Sequence, residues 1–296
     1  MLIKTVEKIL EEHNYRYYEY KGCFDIVASK RSNICVLKVL DNIDSVQENQ
    51  ANNLKILSSN ISTFTAIIGT HTRRDRLEDE VIYERYGIPS MTPDTFENIL
   101  NEKMPTIYRT RGGLFAEIDP EKLREARKNT GLTQKQLADN IGVTKKFVYE
   151  NENKKMFSEK ELVIELERIL DISITSSIDV KSSDDFDQNK PSSNFEKDVC
   201  NNLNKLGFTT NTIHKAPFNI IAKEDIMLLS DADDNEKRVK KNMPALEAFS
   251  EFTKSSAVII SENKDIASAL PVIEAKELKN LTINEFKKLM KSTWSH

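Results

Sequence analysis

The stretch from Thr133 to Glu152, TQKQLADNIGVTKKFVYENE, constrains this chain more tightly than any other part of it. Thr133 caps a helix whose inner face is Leu137 and Ala138. Ala138 is small, as a second helix crossing at close range requires. Ile141-Gly142-Val143 then turns the chain: Gly142 supplies a left-handed backbone angle, and Val143 plugs the corner. Thr144 caps a further helix that runs to about Glu152, with Val148 facing inward.

The flanks extend the pattern. Asp119 caps a preceding helix with Pro120 in its first turn, Leu123 and Ala126 face inward, and Gly131 ends it. Ser158 is the expected cap of a fourth helix with a core face of Leu162, Leu166 and Ile169. Two short helices joined by a glycine-containing turn are the signature of a helix-turn-helix.

Residues 120–172 resemble the Cro/C1 (XRE) family of DNA-binding domains. The matching residues are Leu123-Arg124, Gly131-Leu132-Thr133-Gln134, Leu137-Ala138, Ile141-Gly142-Val143, Val148 and Glu152; the departure is Lys154, where the family usually has glycine. The resemblance implies that the recognition helix enters the major groove by its N-terminal residues. Here those are Thr144, Lys145 and Lys146, with Tyr149 one turn later. It further implies a phosphate or base-edge contact from Gln134 and phosphate contacts from Asn153, Lys154 and Lys155. A solvated helix face is the competing reading of the two lysines, and packing against its own domain that of Tyr149.

Just upstream, TIYRTRGGLFAEID reads as a β-hairpin with a Gly-Gly turn. Arg109 and Arg111 at its tip could act as a wing reaching phosphate or the minor groove. A structural connector or a dimer contact is the alternative.

On either side lie α/β segments. Residues 1–104 read α, β, β, α, β, α, β, α, with the last helix starting at Thr95 and Asp94 as its cap. Residues 193–296 repeat that order: FEKDVCNNLNKLGF matches the first helix, and SSAVIISEN matches FTAIIGTHT. Residues 176–192, rich in Ser and Asp, are expected to be a linker too polar to order itself well. The expected architecture is therefore multidomain: α/β (1–104), hairpin (105–118), all-α helix-turn-helix (119–175), linker (176–192) and a second α/β unit (193–296).

The first α/β segment resembles the restriction-endonuclease-like fold, whose nucleases carry Asp, then (Asp/Glu)-x-Lys on the next strand. Asp25 and Lys38 fill the outer positions, but the middle carboxylate falls at Val36. Glu19-Tyr20-Lys21 has the spacing on the wrong strand. In the second copy Asp25 becomes Asn219, and the Lys38 position falls on Leu229 or Ser230. Metal-assisted phosphodiester cleavage needs at least two carboxylates, so both copies are expected to be non-catalytic. The run HTRRDR (His71, Arg73, Arg74, Arg76) after FTAIIG is either a phosphate or acidic-ligand site or a solvated loop.

Bulk properties bound the rest. The chain has 296 residues and a net charge of −4, which argues against a generic nucleic-acid coater. Between Thr106 and Phe157, however, eleven Lys and Arg stand against seven Asp and Glu, a balance of +4. Cys23, Cys35 and Cys200 are scattered, so reduced core thiols in a cytoplasmic protein are expected. His13, His71, His214 and His296 show no metal-binding spacing, and no cofactor, metal or membrane span is expected. The whole arrangement resembles a family of archaeal transcriptional regulators of about this length. The expected function is a sequence-specific regulator that binds double-stranded DNA as a homodimer. A DNA-targeted metal-dependent nuclease and an RNA-binding or antitoxin-like protein are the alternatives.

Overall fold

The computed structural model describes residues 1–264 and 266–291; His296 lies outside them. The chain opens with α1 (Leu2–Glu12), which buries Val6, Ile9 and Leu10 along one stripe. β1 (Arg16–Glu19), β2 (Ile26–Lys30) and β3 (Asn33–Val39) form an antiparallel meander. After α2 (Glu48–Asn60), β4 (Phe64–Ile68) returns parallel to β3. β5 (Val81–Arg85) and β6 (Ile88–Met91) form a hairpin whose second arm lies parallel to β4, and α3 (Pro93–Leu100) follows.

Three local expectations change here. Between β4 and β6 stands a strand, β5, not a helix. Its Val81, Ile82 and Tyr83 are buried in succession, so the alternation that marks a half-exposed strand is absent. β1 is a further strand that the expected order lacks. α3 begins at Pro93, and the cap is Thr92, whose Oγ1 accepts from the Thr95 backbone N–H at 3.1 Å; Asp94 lies in the first turn.

The hairpin is β7 (Ile107–Thr110) and β8 (Gly113–Ile118). β7 pairs parallel with β5 through Val81–Ile107 and Ile82–Tyr108. The hairpin is thus an extension of the first sheet, which runs β1-β2-β3-β4-β6-β5-β7-β8-β9. α4 (Pro120–Asn129), α5 (Gln134–Ile141) and α6 (Lys145–Asn151) follow, then the last strand of that sheet, β9 (Met156–Glu159), and α7 (Lys160–Leu170). Ser158 is not a helix cap. It sits in β9 opposite Ala116, buried, and α7 starts after Glu159. The strand pairing to β8 takes precedence over the capping signal.

Residues 176–192 contain no helix or strand, yet they pack as a strap. Ile178 and Val180 insert beside α1 and α3, and Phe186 joins the central core. Asn52 on α2 donates to Asp187 O at 2.8 Å and accepts from its N–H at 2.9 Å. Asn189 donates to Asn53 Oδ1 at 2.8 Å and to Thr212 O at 3.0 Å. Amide side chains buried on α2 thus supply the order that the strap's own composition lacks.

The C-terminal unit comprises α8 (Asn194–Lys205), β10 (Thr209–Thr212), β11 (Ile220–Lys223), β12 (Met227–Ala232), α9 (Glu236–Thr253), β13 (Ser256–Ser261), β14 (Val272–Glu274), α10 (Ala275–Leu278) and α11 (Ile283–Lys291). Its sheet order, β10-β11-β12-β13-β14, and strand directions reproduce those of β1-β2-β3-β4-β6. The registers align the copies: Ile26 pairs with Leu37 in one, and Ile220 with Ser230 in the other. The second hairpin is therefore one residue shorter than the first. The residue equivalent to Lys38 is Asp231, which corrects the assignment to Leu229 or Ser230.

The two units share one apolar layer. Phe249 of α9 packs on Phe218 of its own unit at 5.0 Å and on the equivalent Phe24 of the other at 5.4 Å, between ring centroids. Leu54 and Leu57 of α2 and Leu246 of α9 complete it, all fully buried. Cys23 N–H donates to Lys215 O at 2.7 Å, and a Cβ on Gly22 would lie 2.0 Å from that same oxygen. Only glycine admits this approach. The three thiols are buried, and burial pushes Cys23 and Cys35 up to about 12 and Cys200 up to about 11.

Candidate nucleic-acid interface

The helix-turn-helix is built on local signals. Asp119 Oδ1 accepts from the N–H groups of Glu121 and Lys122 at 3.0 and 3.1 Å. Gly142 takes φ 71° and ψ 26° at the end of α5, the left-handed turn that sends the chain into α6. Thr144 Oγ1 accepts from Phe147 N–H at 3.1 Å. Leu123, Ala126, Leu137, Ala138 and Val148 close a core with Val163, Leu166 and Leu170 of α7.

Beneath α6 lies a polar staple. Glu152, 2% exposed, receives the Arg127 guanidinium, with Arg127 Nη2 at 3.1 Å from Oε2. Gln134 Nε2 donates to the same oxygen at 2.8 Å, and Arg124 donates to the Glu152 carbonyl. Burial alone would raise the Glu152 carboxyl. The Arg127 and Gln134 bonds outweigh it and hold the carboxyl below its usual range. This staple ties α4, α5 and the end of α6 together. Arg127 and its role are not legible in the local sequence, because its partner lies 25 residues away.

The remaining candidate residues divide by setting. Lys145, Lys146 and Tyr149 project from the outer face of α6; Tyr149 is 56% exposed, and Lys146 lies 3.8 Å from Glu150. Gln134 is half-buried in the staple. Asn153 bonds Arg124 and the Tyr149 carbonyl. Lys154 is exposed, and Lys155 pairs with Glu117 at 3.0 Å.

Arg109 and Arg111 point elsewhere. They line a groove of about 1380 Å³ with Arg73, Arg74, Arg76 and Arg85. The tertiary structure thus joins two segments that are separate in the sequence. Arg85 Nε pairs with Asp44 Oδ1 at 2.6 Å, and Asp44 Oδ2 accepts the Arg73 N–H at 2.8 Å. The other guanidiniums make no ion pair among the described residues. His71 stays outside this lining, with Nδ1 3.0 Å from Thr70 Oγ1.

Comparison with known proteins fits both parts of this geometry. Residues 1–105 match the PD-(D/E)XK superfamily domain, and residues 123–176 match the Helix-turn-helix model. A relative in Methanocaldococcus jannaschii, named "Putative HTH-type transcriptional regulatory protein", is 33% identical over 294 residues, covering 95% of this chain and 92% of that protein. Relatives with the same designation in Thermococcus kodakarensis and Pyrococcus furiosus are 34% and 31% identical over 290 and 285 residues, covering 91% and 90% of their lengths.

The chain belongs to this archaeal family of HTH-type transcriptional regulators. No solved structure matches it. Among the described residues no helix is long and apolar enough to cross a membrane.

In this family member the nuclease positions do not fit a metal. Asp25 Oδ1 is taken by Lys38 Nζ at 2.9 Å and Oδ2 by the Val39 N–H at 2.8 Å. Val36, where such nucleases place a second carboxylate, is fully buried in the layer between the units. In the second copy Asn219 bonds both backbone groups of Ala232, at 2.8 and 2.9 Å, and Leu229 occupies the middle position. These polar contacts brace each hairpin; they leave no open pair of carboxylate oxygens to hold a cation.

Proposed function

We propose that this regulator reads duplex DNA sequence-specifically with α6, as a homodimer, and without catalytic activity of its own. The observation that carries the reading is the exposed row Lys145, Lys146 and Tyr149 on a helix fixed from behind by the Arg127–Glu152–Gln134 staple. Rigid backing with free donors in front is what groove reading requires. Lysine reaches guanine acceptors or phosphates, and Asn153, Lys154 and Lys155 lie where a phosphate contact would follow.

Pairing two chains places two such helices on half-sites about one helical turn apart. The layer where the two α/β units meet is already filled within one chain, so the second chain must dock elsewhere. Ile164 and Ile172, 52% and 54% exposed on and just after α7, offer an apolar contact for it.

The test is selection of bound duplex fragments with purified protein, followed by competition with structured RNA. One palindromic site, lost in a Lys145→Ala, Lys146→Ala variant, is the expected outcome. Sequence-blind binding indifferent to both lysines, or preference for the RNA, overturns the reading. Sedimentation of the wild type and of Ile164→Asp decides the dimer.

A further inference from the structure

The arginine groove is not absorbed by the recognition helix. Arg73, Arg74 and Arg76 come from the loop after β4, Arg109 from β7 and Arg111 from the turn of the β7–β8 hairpin. All five side chains are exposed, and none makes an ion pair within 4.0 Å among the described residues, although Arg73 lies close enough to Asp44 to lower its carboxyl and Asp75 and Glu84 also line the groove. In a chain of net charge −4, cations kept free at one place call for an external anion. Of the four carboxylates in the lining, Asp44 is paired with Arg85 and Glu78 with Lys160, so the other five arginines face Asp75 and Glu84 as the remaining acids.

The groove adjoins the helix-turn-helix. Tyr108 in its wall meets Phe157 of β9 edge-on at 6.0 Å, and Phe157 follows Lys155 by two residues. Lys160 of α7 pairs with Glu78 of the groove at 3.3 Å. Because β5, β7, β8 and β9 are consecutive strands of one sheet, groove and helix-turn-helix are held on a common frame. The register sets the hairpin turn at the Lys160 end of β9 and Lys155 at the Ile118 end, so a polymeric anion that reaches both must run along the length of this frame. A compact anion would call for donors buried and aimed inward, whereas these lie on exposed tips.

We infer that the Arg73–Arg74–Arg76 loop, with Arg109 and Arg111 of the β7–β8 hairpin, forms a second DNA contact, which grips the phosphodiester backbone flanking the site that α6 reads. This rests on the DNA-binding reading above and deepens it: one chain would hold its duplex at two places, one sensitive to sequence and one not.

The experiment compares a duplex extending several helical turns beyond the selected site with one trimmed to it. Proteins are the wild type, Arg73→Ala/Arg74→Ala/Arg76→Ala, the corresponding triple lysine variant, and Lys145→Ala/Lys146→Ala. Each phosphate contact adds about 0.9 to the logarithmic salt slope. Three lost contacts thus reduce the fall in affinity between about 50 and 200 mM salt by about 40-fold. That change is expected for the alanine variant on the long duplex only, with base preference unchanged and largely restored by lysine. Equal thermal unfolding of the variants excludes a folding defect.

An unchanged slope on the long duplex overturns the inference, and so does an equal loss on both duplexes. Stabilisation of the wild type by inorganic tripolyphosphate through these arginines, with DNA binding unmoved, overturns it too. If Lys145→Ala/Lys146→Ala leaves site preference intact, the recognition-helix reading fails by itself. A groove-dependent slope on mixed-sequence duplex would still stand.

Discussion

Lys38 and Asp231 occupy the same position in two copies of one fold, a base in one and an acid in the other. Lys38 is paired with Asp25 at 2.9 Å. Asp231 has no ion pair among the described residues and accepts from the Asn242 amide at 3.4 Å, and burial pushes its carboxyl up to about 7. Its proton is held more tightly in the folded chain than in the unfolded one. The stability this gives is complete below the unfolded value of about 4 and lost as pH rises toward 7. The buried Glu196, also pushed up by desolvation, acts in the same direction. Asp231→Asn should flatten most of the decline in urea midpoint between about pH 5 and pH 8. It should stabilise the protein at the upper end by a few kcal/mol, since raising a carboxyl tenfold in proton affinity corresponds to about 1.4 kcal/mol. A variant with the wild-type decline would show that Asp231 is ionised throughout.

The recognition helix makes a separable prediction. Lys145→Ala or Lys146→Ala should each cost about 1–3 kcal/mol on the selected site if the lysine reads a base, and relax the preference there. Lys154→Ala should weaken all duplexes alike and lower the salt slope by about 1. Titrations against single-base variants of the site distinguish the two patterns.

The staple behind α6 should be intolerant of half-removal. Arg127→Met leaves Glu152 buried without its guanidinium, a loss of about 3–5 kcal/mol. Replacing both residues with apolar ones of similar volume should recover most of it. Because the Glu152 carboxyl is held below its usual range, the pair's contribution is present above about pH 4 and fades as pH falls through the depressed value. Chemical denaturation of the two variants across acidic pH tests both points.

Two glycines should fail for different reasons. Gly22→Ala drives a Cβ into the Lys215 carbonyl and should cost about 1–3 kcal/mol by overpacking the junction of the units. Gly142→Ala meets nothing within 4 Å, yet must hold φ 71°, at a cost of about 1–2 kcal/mol. Asparagine tolerates that angle better than alanine, so Gly142→Asn should recover part of the second loss and would not relieve the first if placed at Gly22. Thermal melts of the four variants decide it.

The helix-turn-helix was legible in the sequence because its signals act over a few residues: Asp119, Thr133 and Thr144 cap their helices, and Gly142 turns the chain. The repeat was legible as element order, since apolar runs report burial. Ser158 shows where local reading stops: a competent cap became a strand residue because β8 offered it backbone partners. Pairing across space decided the rest. Hairpin register, which depends on how many residues the turn holds, put Asp231 and not a neighbour at the Lys38 position. Sheet continuation through β7 brought Arg109 and Arg111 to the loop of Arg73, Arg74 and Arg76. Arg127 found Glu152, and Phe249 found both Phe24 and Phe218, through chain crossings that no short spacing encodes. Caps and turns are fixed by bonds that a few residues make among themselves. Register, ion pairs and grooves are fixed by which distant surfaces can be buried together.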